Sequence, residues 1–262
     1  PVPPASPGSL PSSTPGNRPC PEAPQILGGG ELTRAVGMPI EGLDTPALLL
    51  DVVASDRNIK RMASYFGDKK CKLRPHFKNH KCTTLARRQL VAGSAVGLTC
   101  AKLGEAEILA GHGFDDILIA NQVVGAGKLQ RLAELAGRAK VAVAVDHATQ
   151  AQAISQAAAS RGVTVGILVE VDIGMGRCGI APGAPTLDLA RQVTLLPGLR
   201  FEGLQAFEGH LVYVNDLQER SRRTRESMRL AVQTRRLLED EGIEVHVISG
   251  GSTATYSITG ST

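Results

Sequence analysis

The sequence predicts an α/β protein with a (β/α)8-type, TIM-like barrel. From residue 45 onward, short runs of Val, Ile, Leu and Ala alternate with helical segments. One run and the helical segment after it together take roughly thirty residues, as in a βαβ unit. The runs are continuously apolar, as expected for parallel strands that are buried on both faces. Polar residues follow nearly every run. This spread favours a barrel over an open sheet, where one switch point would gather them.

Seven strands are predicted, and they lie at 72–78, 96–101, 116–122, 140–146, 164–172, 201–209 and 244–251. The predicted helices lie at 55–66, 82–93, 104–113, 127–139, 147–161, 185–196 and 216–241. In the first helix, Ile59, Met62 and Phe66 share one face, and Ser55 is the expected N-cap. An eight-stranded barrel needs one more strand, but the sequence stops at TATYSITGST. Because a seven-stranded remnant would leave two bare edges, we expect the barrel to be incomplete, without its last strand.

The N-terminal segment differs from the rest of the chain in composition. Residues 1–40 are rich in Pro, Ser and Gly and have no apolar periodicity, so we predict that they are disordered. Residues 41–262 are predicted to form the barrel domain. The segment lacks the basic start and apolar middle of a secretory signal, and no apolar run approaches the length of a membrane span.

Composition argues against several classes of function. The net charge of +4 is mild and scattered, and the chain has three Tyr, five Phe and no Trp, so we expect no nucleic-acid partner. The five cysteines are odd in number and form no CxxC pair, which argues against a disulfide framework or a structural zinc site. Free thiols in a reducing cytoplasm are the simpler expectation.

The segment LRPHFKNHKC (73–82) collects reactive side chains at the end of the first predicted strand. Lys78 is the candidate catalytic residue. A lysine is a useful nucleophile when desolvation or neighbouring cations depress its pKa, and the barrel rim, His76, Arg74 and Lys81 could provide these conditions. A solvated basic turn is the plain alternative.

A metal site of His76, His80 and Cys82 is a weaker alternative for the same segment. Pro75 argues against the helix on which these three side chains could converge, and the intervening lysines would repel a cation.

The segment VDIGMGRCG (171–179) presents Arg177 at the predicted rim, because its glycines permit a tight turn after a strand. A structural turn with a surface arginine is as good an interpretation. The GxGxxG spacing is only weakly suggestive of a dinucleotide loop, since no acidic ribose partner is evident downstream.

The segment ISGGSTATY (248–256) offers bare N–H groups and two hydroxyls after the last predicted strand. This combination suits a phosphate, and late-strand loops are the usual phosphate site in barrels. A flexible linker is the alternative. The candidate phosphate-binding residues are Gly250, Gly251, Ser252 and Thr253.

One cofactor would use all three segments. Pyridoxal 5'-phosphate needs a lysine for its aldehyde, a partner for its ring nitrogen and a phosphate cradle. Lys78, Arg177 and the turn at 250–253 supply them in that order. An arginine opposite the ring nitrogen keeps the pyridine unprotonated, which suits chemistry that needs only partial carbanion stabilisation.

The motifs RPHFKNHK, VGLTCAKLGEAEILAGHGFDDILIANQVV, GMGRCG, GLQAFEGHLVY and SGGST resemble the D-threonine aldolase and D-serine dehydratase family, over roughly residues 43–260. These are fold-type III pyridoxal-phosphate enzymes with an alanine-racemase-like barrel. The resemblance implies Lys78 as the Schiff-base lysine, Arg177 as the ring-nitrogen partner and the turn at 250–253 as the phosphate site. It also implies a small D-amino acid as substrate, and EGHLV favours the aldolase side.

Some features depart from the family pattern. Phe207 stands where the family usually has a tyrosine, and SGGST replaces a common SGGGT. Family members continue into an eighth strand and a β-domain, which carries a histidine and a second ligand for a divalent metal. These ligands are absent from the 262 residues, so we predict no metal-binding residue here. The complete family protein is expected to be a homodimer.

The sequence leaves the reaction open. The first expectation is a lyase of the D-threonine aldolase type, which cleaves a D-3-hydroxy amino acid to glycine and an aldehyde. A D-serine dehydratase-like ammonia-lyase is the second expectation. The third is an inactive barrel that binds pyridoxal phosphate without turnover, and the fourth is a barrel that binds another phosphorylated ligand without a bond to Lys78.

Overall fold

The computed structural model describes residues 37–261. Of the segment 1–40, which was predicted to be disordered, residues 1–36 lie outside the described residues. The chain divides into two units, Pro1–Leu50 and Asp51–Thr262. The described part of the first unit contains a turn of 3-10 helix at Ile40–Gly42. The second unit contains the sheet and the helices that position the candidate site.

Six parallel strands form one sheet, and consecutive strands are neighbours. They are β1 (Leu98–Cys100), β2 (Asp116–Ile119), β3 (Lys140–Val145), β4 (Val165–Glu170), β5 (Leu199–Ala206) and β6 (Val247–Gly250). The sheet order is β1-β2-β3-β4-β5-β6, and every pair is parallel. Because the order never reverses, the sheet has no switch point. The predicted barrel winding is therefore confirmed over an open doubly wound sheet.

Helices precede and follow the strands in the predicted alternation. They are α1 (Val52–Gly67), α2 (Thr83–Val91), α3 (Leu103–Gly111), α4 (Ala126–Ala136), α5 (Ala148–Ser160), α6 (Ala184–Leu195), α7 (Leu217–Asp240) and α8 (Tyr256–Thr259). The prediction of Ser55 as the first N-cap is wrong. The Asp51 carboxylate caps α1 instead, by accepting the Ala54 N–H at 2.8 Å. No helix in the described range has the length and hydropathy that a bilayer span requires.

The first predicted strand, 72–78, is only partly formed. Two of its residues form isolated parallel bridges, Leu73 with Ala95 and His76 with Thr99. A turn of 3-10 helix, Phe77–Asn79, follows. Pro75 lies between the bridges and has no N–H to donate, which interrupts the ladder. The prediction of a continuous strand is therefore wrong, although the segment occupies a strand position beside β1.

The two faces of the sheet carry different side chains. Buried aliphatic residues form the main core with the helices, among them Leu98, Ile119, Val143, Ile167 and Leu204. Each such buried side chain contributes about 2 kcal/mol to stability. Side chains alternate along a strand, so the opposite face holds the intervening residues. Near the carboxyl ends this inner face is partly polar, with Thr99, Glu170 and Gln205 all buried.

The C-terminal residues pack against the region that precedes β1. The Tyr65 hydroxyl donates to the Ser257 carbonyl at 3.3 Å, and the Tyr65 and Tyr256 rings meet edge-on with centroids 4.9 Å apart. The Cys71 thiol donates to the Gly260 carbonyl at 3.2 Å. The segment that precedes the sheet and the segment that follows it are thereby in contact, which is consistent with the curvature of a barrel. Within residues 37–261 the barrel has six strands and one bridging segment, so it is incomplete.

The close approach of β5 and β6 gives a test of the fold. Gly203 has φ +143°, and a Cβ there would lie 2.0 Å from the Val247 carbonyl oxygen. We expect Gly203→Ala to lower the free energy of unfolding by about 3 kcal/mol in urea titrations, since overpacking and backbone strain add. Gly127→Ala is the matched control, because a Cβ at Gly127 in α4 meets nothing within 4 Å. A similar loss in both variants would contradict this account of the β5–β6 pairing.

Candidate active site

Lys78 lies on the 3-10 helix that follows the first bridging segment, at the carboxyl end of the sheet. Its backbone N–H donates to His76 Nδ1 at 3.3 Å, so the His76 ring caps this turn. The neighbouring Phe77 is 1% exposed and anchors the turn in the core. Lys78 itself is exposed. We predicted that the barrel rim would remove water from the Lys78 amine. The described residues do not do so.

The charges around Lys78 also differ from the expectation. Burial lowers the pKa of His76 to about 4, with a further contribution from the charge of Lys78, while Glu105 opposes the shift. The His76 ring is therefore uncharged at neutral pH and provides no cation. The Arg74 guanidinium is paired with the Asp116 carboxylate at 2.6 Å.

The metal site considered for the same segment is not assembled. His80 Nδ1 accepts the Cys82 N–H at 3.1 Å, and its Nε2 lies 3.2 Å from Gln89 Oε1. Because both ring nitrogens are engaged in hydrogen bonds, His80 would have to reorganise before it could bind a metal.

Arg177 lies on a nine-residue loop, residues 172–180, that follows β4. Parallel bridging between Val171 and Ile180 closes the loop at its base. Arg177 is exposed, and its guanidinium carbon lies 5.5 Å from the centre of the Phe207 ring, a cation–π distance. The loop thus presents Arg177 at the carboxyl end of the strands, the same end at which Lys78 lies.

The glycine turn after β6 is fixed by close packing and by a buried carboxylate. A Cβ at Gly250 would lie 2.3 Å from the Ala206 carbonyl oxygen, and Gly251 has φ +84°, so both positions require glycine. Glu208 is fully buried, and its carboxylate accepts the Gly251 N–H at 3.1 Å. It also accepts two hydroxyls, from Thr255 at 2.7 Å and Thr259 at 2.5 Å.

The predicted phosphate donors are partly engaged within the protein. The Ser252 N–H donates to Thr255 Oγ1 at 2.9 Å, and the two hydroxyls of these residues lie 2.9 Å apart. Thr253 is exposed, and its N–H has no acceptor within the described range. The Thr253 N–H is therefore available to a phosphate, whereas a phosphate would compete with Thr255 for the Ser252 groups.

Sequence reasoning did not identify a polar cluster at the carboxyl ends of β2, β3 and β4. The Gln122 amide donates to Glu170 at 2.5 Å and to Asp146 at 3.2 Å. Burial raises the pKa of Glu170, although the hydrogen bond from Gln122 opposes the shift. Asp146 and Gln122 each end a predicted strand, a position that indicates a polar residue at the carboxyl end of the sheet. Glu170 lies within the predicted strand 164–172 and carries no such signal.

The same cluster has the spacing of a cation site. Ligand atoms of Asp146, Glu170 and Cys178 lie within 4.8 Å of one another, the one such group in the described part of the chain. However, the two carboxylates already accept hydrogen bonds from Gln122, and Asp146 also accepts the Gly179 N–H at 3.0 Å. The cluster is therefore accounted for as a hydrogen-bonded network.

Comparison with known proteins identifies the family of the chain. Residues 50–259 match the alanine racemase N-terminal domain. The chain belongs to this family. It is 41% identical over 219 residues to a D-threonine aldolase of Arthrobacter sp., a match that covers 84% of this chain and 58% of that protein. A D-threo-3-hydroxyaspartate dehydratase of Delftia sp. (strain HT23) is 32% identical over 215 residues, covering 81% of this chain and 56% of the dehydratase.

The structural comparison agrees with the family. The crystal structure of D-threonine aldolase from Filomicrobium marinum superposes with a TM-score of 0.81 at 42% identity, covering 83% of this chain and 59% of that one. The resemblance and the barrel fold predicted from the motifs are therefore confirmed. The chain spans less than two thirds of the length of each of these relatives.

The raised pKa of Glu170 predicts a pH-dependent stability. Between the unfolded and the folded pKa the unfolded chain has released its proton and the folded chain has not, so stability falls as the pH rises through this window. Glu170→Gln removes the titration. We therefore compare the free energy of unfolding of Glu170→Gln with that of the unsubstituted chain. The difference should shift in favour of the variant by about 1 kcal/mol between pH 4 and pH 8, the scale for one buried polar group without full hydrogen bonding.

Urea unfolding at the two pH values measures this difference. Glu41→Gln, at an exposed glutamate, serves as the control and should show no pH-dependent gain. An equal effect of Glu170→Gln at both pH values would show that Glu170 titrates normally.

Proposed function

We propose that this chain is a pyridoxal-phosphate-dependent lyase that cleaves D-3-hydroxy amino acids to glycine and an aldehyde. The observation that carries the proposal is the 41% identity to a D-threonine aldolase over 84% of the chain. The barrel domain, residues 41–262, is proposed as the unit that binds the cofactor.

The donor groups at the carboxyl end of the sheet fit the cofactor in kind. Lys78 offers an exposed primary amine for the aldehyde, and Arg177 offers a guanidinium for the ring nitrogen. The Thr253 N–H and the Ser252 hydroxyl are proposed for the phosphate, next to Gly250 and Gly251. When bound, pyridoxal phosphate accepts the electron pair released as a bond to the substrate Cα breaks.

The residues of the chain have separate roles in this proposal. Lys78 binds the cofactor covalently, and the capping contact from His76 orients its backbone. The guanidinium of Arg177 has only donor hydrogens, so it can face an unprotonated ring nitrogen but cannot accept a proton from it. The ring of Phe207 supports that guanidinium and, unlike the tyrosine usual in the family, brings no hydroxyl to the site.

A dehydratase is the second candidate, because the chain is also 32% identical to a D-threo-3-hydroxyaspartate dehydratase. The lower identity places it behind the aldolase. A homodimer, a cytoplasmic location and a requirement for a divalent metal are further predictions from the family resemblance. The metal would need ligands other than the proposed cofactor-binding residues.

The covalent role of Lys78 can be tested by borohydride reduction. We expect reduction of the chain with pyridoxal phosphate, followed by peptide mapping, to label Lys78. Lys78→Arg should lose the label and any lyase activity, because a guanidinium does not condense with the aldehyde. Lys72→Arg, at an exposed lysine of the same predicted strand, 72–78, is the control and should retain both. Phosphate-dependent binding without a label on Lys78 would favour a barrel that binds another phosphorylated ligand.

The products distinguish the remaining candidates. We expect D-threonine to give glycine and acetaldehyde, and D-3-hydroxyaspartate to give glycine and glyoxylate. Release of ammonia with a keto acid would instead support the dehydratase. A labelled Lys78 without turnover of D-threonine, D-serine or D-3-hydroxyaspartate, with and without added divalent metal, would support a binding protein.

A further inference from the structure

The loop that carries Arg177 is held at its first turn by one carboxylate. Asp172 Oδ1 accepts the N–H groups of Gly174 at 2.9 Å, Met175 at 2.8 Å and Gly176 at 3.1 Å. Its Oδ2 lies 3.1 Å from the Gly176 nitrogen as well. Burial raises the pKa of Asp172, but these backbone hydrogen bonds outweigh burial and the pKa lies below its usual value. The charged form of Asp172 is therefore the form that organises the turn.

A second carboxylate holds the other end of the loop. Asp146, the residue that follows β3, accepts the Gly179 N–H through its Oδ2 at 3.0 Å. A Cβ at Gly179 would lie 2.5 Å from the Asp172 nitrogen, so the two ends of the loop pass close together there. Asp146 is itself fixed by the Gln122 amide at 3.2 Å. The loop is thus tied both to its own base and to the inner face of the sheet.

Arg177 depends on this backbone for its position. Within residues 37–261 its guanidinium makes no hydrogen bond or ion pair. It lies near the Phe207 ring and interacts electrostatically with Glu170. The glycines at 174, 176 and 179 all have positive φ, and glycine loses more conformational freedom on ordering than any other residue. Without the two carboxylates, the segment on both sides of Arg177 would have little to order it.

We propose that Asp146 and Asp172 are positioning residues that clamp the loop 172–180 and hold Arg177 toward the ring nitrogen of pyridoxal phosphate. The inference rests on the proposed function and extends it to residues that do not touch the cofactor. Ordering the loop before binding removes an entropic cost from the binding step, so the clamp raises the affinity for the cofactor through Arg177.

A double-mutant cycle tests this coupling. Asp172→Ala should raise the Kd for pyridoxal phosphate about tenfold, the effect of losing one or two net hydrogen bonds. Asp146→Ala should act in the same direction. In an Arg177→Ala background, Asp172→Ala should have no further effect on Kd, because the residue through which it acts is gone. Asp172→Asn, which keeps one acceptor oxygen, should recover part of the affinity.

Hydrogen exchange of the cofactor-free full chain gives an independent measure of the clamp. Asp172→Ala should accelerate exchange of the N–H groups at residues 174–176, and Asp146→Ala should do so at Gly179, while exchange in the core strands stays unchanged. Asp188→Asn, at an exposed carboxylate of α6, is the control and should change neither exchange nor Kd.

The outcomes separate this inference from the proposed function. If Asp172→Ala weakens binding equally with and without Arg177, or if the loop exchanges at the unsubstituted rate, the clamp is overturned and the proposed function stands. If the unsubstituted chain binds no pyridoxal phosphate, the proposed function fails and the inference fails with it. Global loss of exchange protection in Asp172→Ala would also overturn the clamp, since Asp172 would then support the whole fold.

Discussion

Parallel pairing of consecutive strands is the constraint on which the candidate site depends. Because β1 to β6 are parallel and follow chain order, every turn from a strand to a helix lies at the carboxyl end of the sheet. Residues that are far apart in the sequence, such as Lys78, Arg177 and Gly251, therefore lie at the same end of the barrel. The aliphatic face of the sheet provides the stability, which leaves the turns available for polar residues.

Buried carboxyl groups are the main polar feature of that end of the barrel. Glu208 is fully buried and has three donors from the C-terminal segment, so it links the end of β5 to the glycine turn. Glu170 is 5% exposed but has a single amide donor, from Gln122, and burial therefore dominates its pKa. In both cases a buried carboxyl group connects separate segments of the chain through hydrogen bonds, a use of buried polarity that requires matched donors.

Features encoded by local patterns could be predicted from the sequence, and features encoded by register could not. The run KVAVAV of β3 and the helical period of α5 are local, so both were found. Asp51 and Ser55 both satisfy the capping rule, and only the folded chain selects between them. The meeting of Gln122 with Glu170 depends on the alignment of β2, β3 and β4, which no single strand specifies. The charge state of His76 likewise depends on burial that the motif does not reveal.

The site divides into parts that are ordered by the chain itself and a part that is not. The arginine loop and the glycine turn are built from hydrogen bonds to Asp172 and Glu208, so their backbones are fixed before any ligand binds. Lys78, by contrast, is exposed, and of the expected neighbouring cations His76 is uncharged at neutral pH and Arg74 is paired with Asp116. The chain thus orders the backbone that carries Arg177 and the backbone of the glycine turn, while the side chain of Lys78 is exposed. Desolvation of that amine, which would lower the cost of its neutral form, is therefore not built into the described residues 37–261.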